Sequence, residues 1–118
     1  MPSKPYRGNI QTITESETAY RRVLFTTPQM QLVTMALDPH EEIGMESHSR
    51  TTQFIRVEAG SGQAIISGHK YILSDGVAVM IPAGCRHNII AGSKGLKLYT
   101  LYSPPEHPDG LVEHQKEN

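Results

Sequence analysis

Four side chains that can bind a metal occur in two short stretches of the sequence. Glu46 and His48 are separated by one residue, Gln53 follows five residues later, and His87 comes directly after residues 82–86, Pro-Ala-Gly-Cys-Arg. Residues two apart on a β-strand point to the same face, so Glu46 and His48 can act together. A carboxylate, two imidazoles and an amide oxygen form a mixed nitrogen and oxygen set that suits a divalent first-row metal. Taken alone, Glu46 and His48 also fit ordinary surface residues of a hairpin, because exposed Glu is common.

The rest of the sequence, which must position these side chains, predicts an all-β domain. The 10 glycines and 8 prolines divide the chain into short pieces rich in β-forming residues. About eight to ten strands at this spacing are typical of a sandwich or barrel. A tight turn is predicted at 59–62, a loop at 91–95, and a helical turn at 15–19 from a capping-box pattern. The clearest strands are predicted at 20–26, 31–37, 53–57, 63–67, 70–73, 77–81, 86–90 and 96–102.

The size and charge of the chain limit its function classes. The 118 residues predict a single domain, with an N-terminal arm at 1–19, a barrel at 20–102 and a C-terminal tail at 103–118. A net charge of −1 without a basic run makes nucleic acid an unfavoured partner. No apolar stretch reaches the ~18 residues that a membrane span requires. The N-terminus lacks the apolar region of a signal peptide, and a single Cys excludes an internal disulfide, so a cytoplasmic location is expected.

The second stretch resembles a motif of the cupin family. That motif reads Gly-x5-Pro-x-Gly-x2-His-x3-Asn, and it is matched here by Gly76, Pro82, Gly84 and His87, with Ala91 at the position of the Asn. In physical terms, the glycines permit turns that a Cβ would strain, and the proline sets the bend before the histidine.

The first stretch resembles the other cupin motif, Gly-x5-His-x-His-x3–4-Glu-x6-Gly. Its spacing is matched from Glu46 through His48 and Gln53 to Gly60, but Glu46 replaces the first His and Gln53 replaces the Glu. The two replacements compensate in charge. The resemblance covers roughly residues 30–102 and implies a jelly-roll barrel, also described as a double-stranded β-helix.

The resemblance implies one divalent metal held by Glu46, His48, Gln53 and His87. Fe, Mn, Ni, Co and Zn all suit this donor set, and its richness in oxygen argues against copper. Glu46 is alternatively a general base beside the metal. Gln53 is alternatively a residue that orients a ligand or hydrogen-bonds the substrate, since an amide oxygen is a weak ligand.

Catalytic roles are predicted for Glu46, Arg56 and Tyr99. Arg56 would clamp an anion if it faces inward, and would be a solvated surface residue if it faces outward. Tyr99 and Tyr102 would line the cavity as donors, with Tyr99 taken as the catalytic one, although tyrosines in strands also serve plain packing. In the tail, His107 and His114 either cover the barrel mouth or remain solvated.

Two functional classes remain open from the sequence. The resemblance implies a small metal-dependent enzyme, similar to isomerases and epimerases or to dioxygenases, acting on a small anionic or oxygen-rich molecule. The alternative is a module that binds or senses a small ligand without turnover, because fold is a poor guide to chemistry. A symmetric homodimer is expected, since a small sheet has edges to protect.

Overall fold

The protein is described by a computed structural model that covers residues 4–117. These residues form one short helix and seven strands, and every strand pairing is antiparallel. The all-β class and the barrel expected from the motifs are confirmed. The elements are α1 (Ile10–Glu15), β1 (Arg21–Thr26), β2 (Gln31–Leu37), β3 (Thr52–Ile66), β4 (His69–Ser74), β5 (Ala78–Ile81), β6 (His87–Ser103) and β7 (Val112–Glu113).

The sheet is organised around two long strands, β3 and β6, which pair along most of their length. The strand order is β4-β3-β6-β2-β1-β7, and β5 also pairs with β3. The predicted turn at 59–62 and loop at 91–95 are wrong, because β3 and β6 bend through these positions without reversing. Gly60 shows why glycines occur there: its φ is +113°, and a Cβ on it would lie 2.1 Å from the carbonyl oxygen of Gly95.

The helix begins earlier than the capping-box pattern predicted. Its N-cap is Asn9, whose side-chain oxygen accepts a hydrogen bond from the backbone N–H of Thr12 at 3.0 Å. Thr14, the first residue of the capping-box pattern Thr-Glu-Ser-Glu at 14–17, is instead buried inside the helix. Glu17 follows the helix, and its carboxylate accepts bonds from the backbone N–H groups of Thr18 and Ala19.

Successive side chains along the strands alternate in direction, which gives the sheet two distinct faces. The inner face encloses the hydrophobic core of the barrel, and on β3 it includes Gln53, Ile55 and Val57. The outer face of the same strand carries Phe54 and Arg56, which are only partly buried. Further inner-face residues of the core are Val33, Met35, Leu37, Leu96, Leu98 and Tyr102.

The predicted C-terminal tail contributes to the fold. Its strand β7 pairs with β1, with Arg21 opposite Glu113 and Arg22 opposite Val112. Residues 1–3 of the predicted arm and residue 118 of the predicted tail lie outside the described part of the chain. Within residues 4–117, no helix has the length and apolar character needed to cross a membrane.

Candidate metal centre

The two sequence motifs meet through the backbone. Glu46 and His87 form an antiparallel bridge, in which each backbone N–H donates to the carbonyl oxygen of the other residue, at 2.9 and 2.8 Å. The carbonyl oxygen of His48 accepts a further bond, of 2.8 Å, from the N–H of Gly84. The loop that carries Glu46 and His48 is therefore fixed directly beside the start of β6.

The three side chains converge within this bridge. The Glu46 Oε1 atom lies 3.4 Å from His48 Nε2 and 3.6 Å from His87 Nε2. One ligand atom from each residue lies within 4.8 Å of the other two, which is close enough for all three to share one metal ion. The predicted grouping of Glu46, His48 and His87 is thus present, while ligation itself stays a prediction.

The two histidine nitrogens that face Glu46 are buried and have no hydrogen-bond partner in the described chain. His87 is 2% exposed, and its Nδ1 lies 3.0 Å from the carbonyl oxygen of Cys85. A carbonyl only accepts, so this contact assigns the proton to Nδ1 and leaves Nε2 with a lone pair. Within residues 4–117, neither His48 Nε2 nor His87 Nε2 has a hydrogen-bond partner. Burying a polar atom without a partner costs free energy. A bound metal ion would supply the missing partner for both nitrogens.

Gln53 lies on the inner face, 2% exposed. Its Nε2 donates to the hydroxyl of Thr100 at 3.0 Å, and this bond orients the amide. Its Oε1 is buried and has no hydrogen-bond partner in the described chain. Gln53 is opposite Tyr102 in the strand register, and the ring of Tyr102 lies 5.9 Å from that of His48. The oxygen is thus available as a further metal ligand or a contact to a bound molecule.

The ionisation of the cluster favours cation binding. Burial alone would raise the pKa of Glu46, but pairing with His87 and the positive charges of His48, His87 and Arg21 lower it overall. Burial alone would lower the pKa of His87, but pairing with Glu46 and the contact with the Cys85 carbonyl raise it overall. Glu46 is consequently an anion at neutral pH, and its charge favours a cation at His87 Nε2, which a metal ion would supply in place of a proton.

Arg56 and Tyr99, both predicted to be catalytic, lie away from this cluster. They are opposite each other on the outer face, where the Arg56 side chain is 44% exposed and its Nε lies 3.6 Å from Glu58 Oε2. Of the two orientations that the sequence allowed for Arg56, the structure has the outward one. The reason is the two-residue period of a strand: Gln53 points inward, so a residue three positions later points outward.

The C-terminal segment supplies residues that sequence reasoning missed. Gln31, buried at the start of β2, accepts bonds from the N–H groups of Glu106 and His107 and donates to the carbonyl of His107 at 2.7 Å. These bonds place Glu106 Oε2 3.4 Å from His48 Nδ1, and the ring of His107 5.1 Å from that of Tyr102. Of the two arrangements that the sequence allowed for His107, the structure therefore has the one in which the tail covers the barrel mouth. Nothing in the sequence marks Gln31 as the residue that holds this segment.

His114 differs from His107 in its surroundings. Its carbonyl accepts a bond from the N–H of Tyr20, and it lines a small cavity with Tyr20, Asp38 and Lys116. A surface cavity of about 460 Å³ lies elsewhere, beside β4 and β5. None of the residues that line it belongs to the metal cluster.

Comparisons with known proteins agree with this architecture. The cupin domain family model matches residues 33–102. The chain is 42% identical to the uncharacterized protein L612 of Acanthamoeba polyphaga mimivirus, over 92% of this chain and 71% of that protein. It is 38% identical to the uncharacterized protein YrkC of Bacillus subtilis, over 96% of this chain and 64% of that protein. The crystal structure of BH2720 from Bacillus halodurans superposes with a TM-score of 0.92 at 36% identity, covering 94% of this chain and 89% of that one.

Proposed function

The chain belongs to the cupin family, and from that premise we propose that it is a small metal-dependent enzyme. It would hold one divalent first-row metal ion at Glu46, His48 and His87, and act on a small anionic or oxygen-rich molecule. The observation that carries the proposal is the convergence of one carboxylate and two imidazole nitrogens, with both nitrogens buried and without hydrogen-bond partners in the described chain.

The donor set fits such an ion. Glu46, His48 and His87 would be the ligands, and the amide oxygen of Gln53 is the candidate for a fourth. A set of this kind suits Fe, Mn, Ni, Co or Zn, and its oxygen content does not favour copper. When bound, the metal would polarise an oxygen atom of the substrate or activate oxygen.

The residues of the chain would bind the substrate and handle protons around that centre. Glu46, ionised at neutral pH, can accept a proton as well as bind the metal. Burial, the largest influence on the pKa of Tyr102, raises it, so the hydroxyl stays protonated and able to donate. Of the two tyrosines that the sequence suggested as donors, Tyr102 lies on the inner face and Tyr99 on the outer face. An acceptor and a donor near one centre suit an isomerase-like or epimerase-like proton transfer.

A second candidate is a cupin that binds a small ligand without turnover. One observation favours it: Glu106 and His107 cover the cluster and are fixed there by Gln31. A closed site suits retention of a ligand, whereas turnover requires repeated opening. Product formation from candidate substrates, in air and under nitrogen, distinguishes the two functions.

Metal content tests the proposal directly. The purified protein, loaded with each candidate metal and dialysed, should carry close to one ion per chain. His87→Ala should lose most of the ion while keeping the β-sheet circular dichroism of the unchanged protein. The matched control is His69→Ala, since His69 is exposed on β4 and belongs to neither motif. Equal metal content in the His87 and His69 variants would contradict the proposed site.

A further inference from the structure

Glu106 belongs to the C-terminal segment and reaches the metal cluster from outside both motifs. Its Oε2 atom lies 3.4 Å from His48 Nδ1, and its side chain is 29% exposed. The ring of His48 is 13% exposed and has a carboxylate at each nitrogen, since Glu46 Oε1 lies 3.4 Å from its Nε2. Of the two carboxylates, only that of Glu46 belongs to the group of atoms that can share one ion.

The two histidines of the cluster have the same arrangement. In His87, Nδ1 lies 3.0 Å from the carbonyl oxygen of Cys85, and in His48 it lies 3.4 Å from the carboxylate of Glu106. A carbonyl and an ionised carboxylate only accept, so in each histidine the proton belongs on Nδ1 and the lone pair on Nε2. Metal-binding histidines commonly have such an acceptor at the nitrogen that does not bind the metal, and it fixes the direction of the ring.

The backbone on either side of Glu106 is held by buried side chains. Gln31 is 0% exposed, and its Oε1 accepts bonds from the N–H groups of Glu106 and His107 at 3.2 and 3.0 Å. The hydroxyl of Thr51, which is also buried, donates to the carbonyl oxygen of Pro104 at 3.2 Å. The position of the Glu106 carboxylate beside the cluster is consequently set by the main chain of the segment.

The contact between Glu106 and His48 links metal binding to the position of the segment. A cation bound at Nε2 draws electron density from the ring, which makes the Nδ1–H a stronger donor to an anionic acceptor. In the reverse direction, a carboxylate at Nδ1 makes Nε2 a more basic ligand. Thermodynamic linkage makes the two effects equal: the factor by which the docked segment raises metal affinity is the factor by which the metal favours docking.

We propose that Glu106 is a positioning residue for the metal ion, which it affects by orienting His48, and that the bound ion and the C-terminal segment therefore stabilise each other's positions. The inference rests on the proposed function and deepens it, because it gives the ion control over the segment that covers its own site. In this arrangement Glu106 is not a ligand, since the nitrogen that it contacts is the one turned away from Glu46.

Metal affinity tests the positioning role. The unchanged protein and its variants are loaded with Co²⁺, one of the candidate metals, and titrated with a chelator of known affinity. Glu106→Gln should weaken Co²⁺ binding about 10-fold, the lower end of the range for such partners, because the carboxylate is partly exposed. It should also shift the visible absorption of bound Co²⁺, which reports ligand geometry. The matched control is Asp109→Asn, which makes the same change of charge at an exposed position of the same segment and should change neither.

Hydrogen exchange tests the coupling. The amides of Glu106 and His107, both of which donate to Gln31, are followed by mass spectrometry with and without saturating Co²⁺. In the unchanged protein the ion should slow their exchange about 10-fold, by the reciprocity of linkage. In Glu106→Gln at equal metal content, the slowing should be smaller, because the ion no longer acts on the segment through His48.

The outcomes separate this inference from the function on which it rests. Failure of the unchanged protein to load metal overturns the proposed function. Metal loading with equal Co²⁺ affinity in Glu106→Gln and Asp109→Asn overturns the role of Glu106 alone. Exchange that does not respond to Co²⁺, or responds equally in Glu106→Gln, overturns the coupling. If Glu106→Gln does not fold, the same measurements on Glu106→Asp decide, since the shorter side chain keeps the charge and loses the contact.

Discussion

Two carboxylates on opposite faces of the sheet have contrasting surroundings. On the outer face, Glu17 is 5% exposed and accepts bonds from Thr34 Oγ1 at 2.7 Å, Arg22 Nε at 2.8 Å and two backbone N–H groups at 3.0 Å. On the inner side, the nearest polar contacts of Glu46 are His48 and His87, at 3.4 and 3.6 Å, beyond good hydrogen-bond distance.

The difference indicates what each carboxylate does. Glu17 has partners for both of its oxygens and joins the end of α1 to β1 and β2, so its role is structural. Glu46 faces two imidazole nitrogens that have no hydrogen-bond partner within residues 4–117. A polar cluster left incomplete by the protein is one that an external ligand can complete. Both residues are acids in polar sequence contexts, so the sequence alone does not distinguish them.

The largest effect expected from this contrast is on metal affinity. Glu46→Ala should weaken metal binding by more than ~100-fold, because loss of a direct ligand should exceed the ~10- to 100-fold cost of losing an outer-shell partner. Glu17→Ala should leave the affinity unchanged. Competition with a chelator of known affinity measures both. A loss in the Glu17 variant that equals the loss in the Glu46 variant would erase the distinction between the two faces.

Stability should respond in the opposite order. Glu17→Ala should lower the free energy of unfolding of the metal-free protein by about 2–3 kcal/mol, since it leaves the buried Thr34 hydroxyl and two backbone N–H groups without their acceptor. Glu46→Ala should cost less, because its contacts are longer and its side chain is 34% exposed. Urea denaturation with a chelator present measures both variants. A larger loss for Glu46→Ala would assign Glu46 a structural role.

The pH dependence of stability tests whether the stabilising form of Glu17 is the ionised one. Burial would raise its pKa, but the bonds from Arg22, Thr34 and the Ala19 N–H lower it overall, below its ordinary value of 4.5. The stabilisation is therefore fully present above pH 4.5 and is lost as the pH falls through the lowered pKa. The stability difference between the unchanged protein and Glu17→Gln, measured by thermal unfolding, should shrink as the pH falls below 4.5. A difference that grows with acidity would contradict the ionised network.

The smallest effect is expected at Gln53. Gln53→Glu should bind the metal at least as tightly, because the carboxylate is a stronger ligand than the amide oxygen. The bond to Thr100 can persist, since the hydroxyl can turn and donate to the new oxygen. Chelator competition with Gln53→Leu as the paired control isolates the contribution of the oxygen. Weaker metal binding in Gln53→Glu would indicate that Gln53 contacts the substrate and not the metal.

Much of the fold followed from local patterns. The strand predicted at 31–37 coincides with β2, and the spacing of Gly76, Pro82, Gly84 and His87 predicted a bend before a buried histidine. The prediction of separate short strands failed at residues 59–62. Glycines mark both chain reversals and bends, and only the close approach of Gly60 to Gly95 shows which of these occurs.

The sequence by itself determined the donor types and the pairing of the two motifs in one cluster, because ligand spacing and strand alternation are local properties. Only the tertiary structure decided which arginine lies inside the barrel. Arg21 and Arg56 both stand in predicted strands, and no local signal shows that the C-terminal segment folds back to pair Glu113 with Arg21. That segment is held by Gln31, about 75 residues earlier in the chain. Contacts over such a separation depend on how the sheet closes, which no short stretch of sequence specifies.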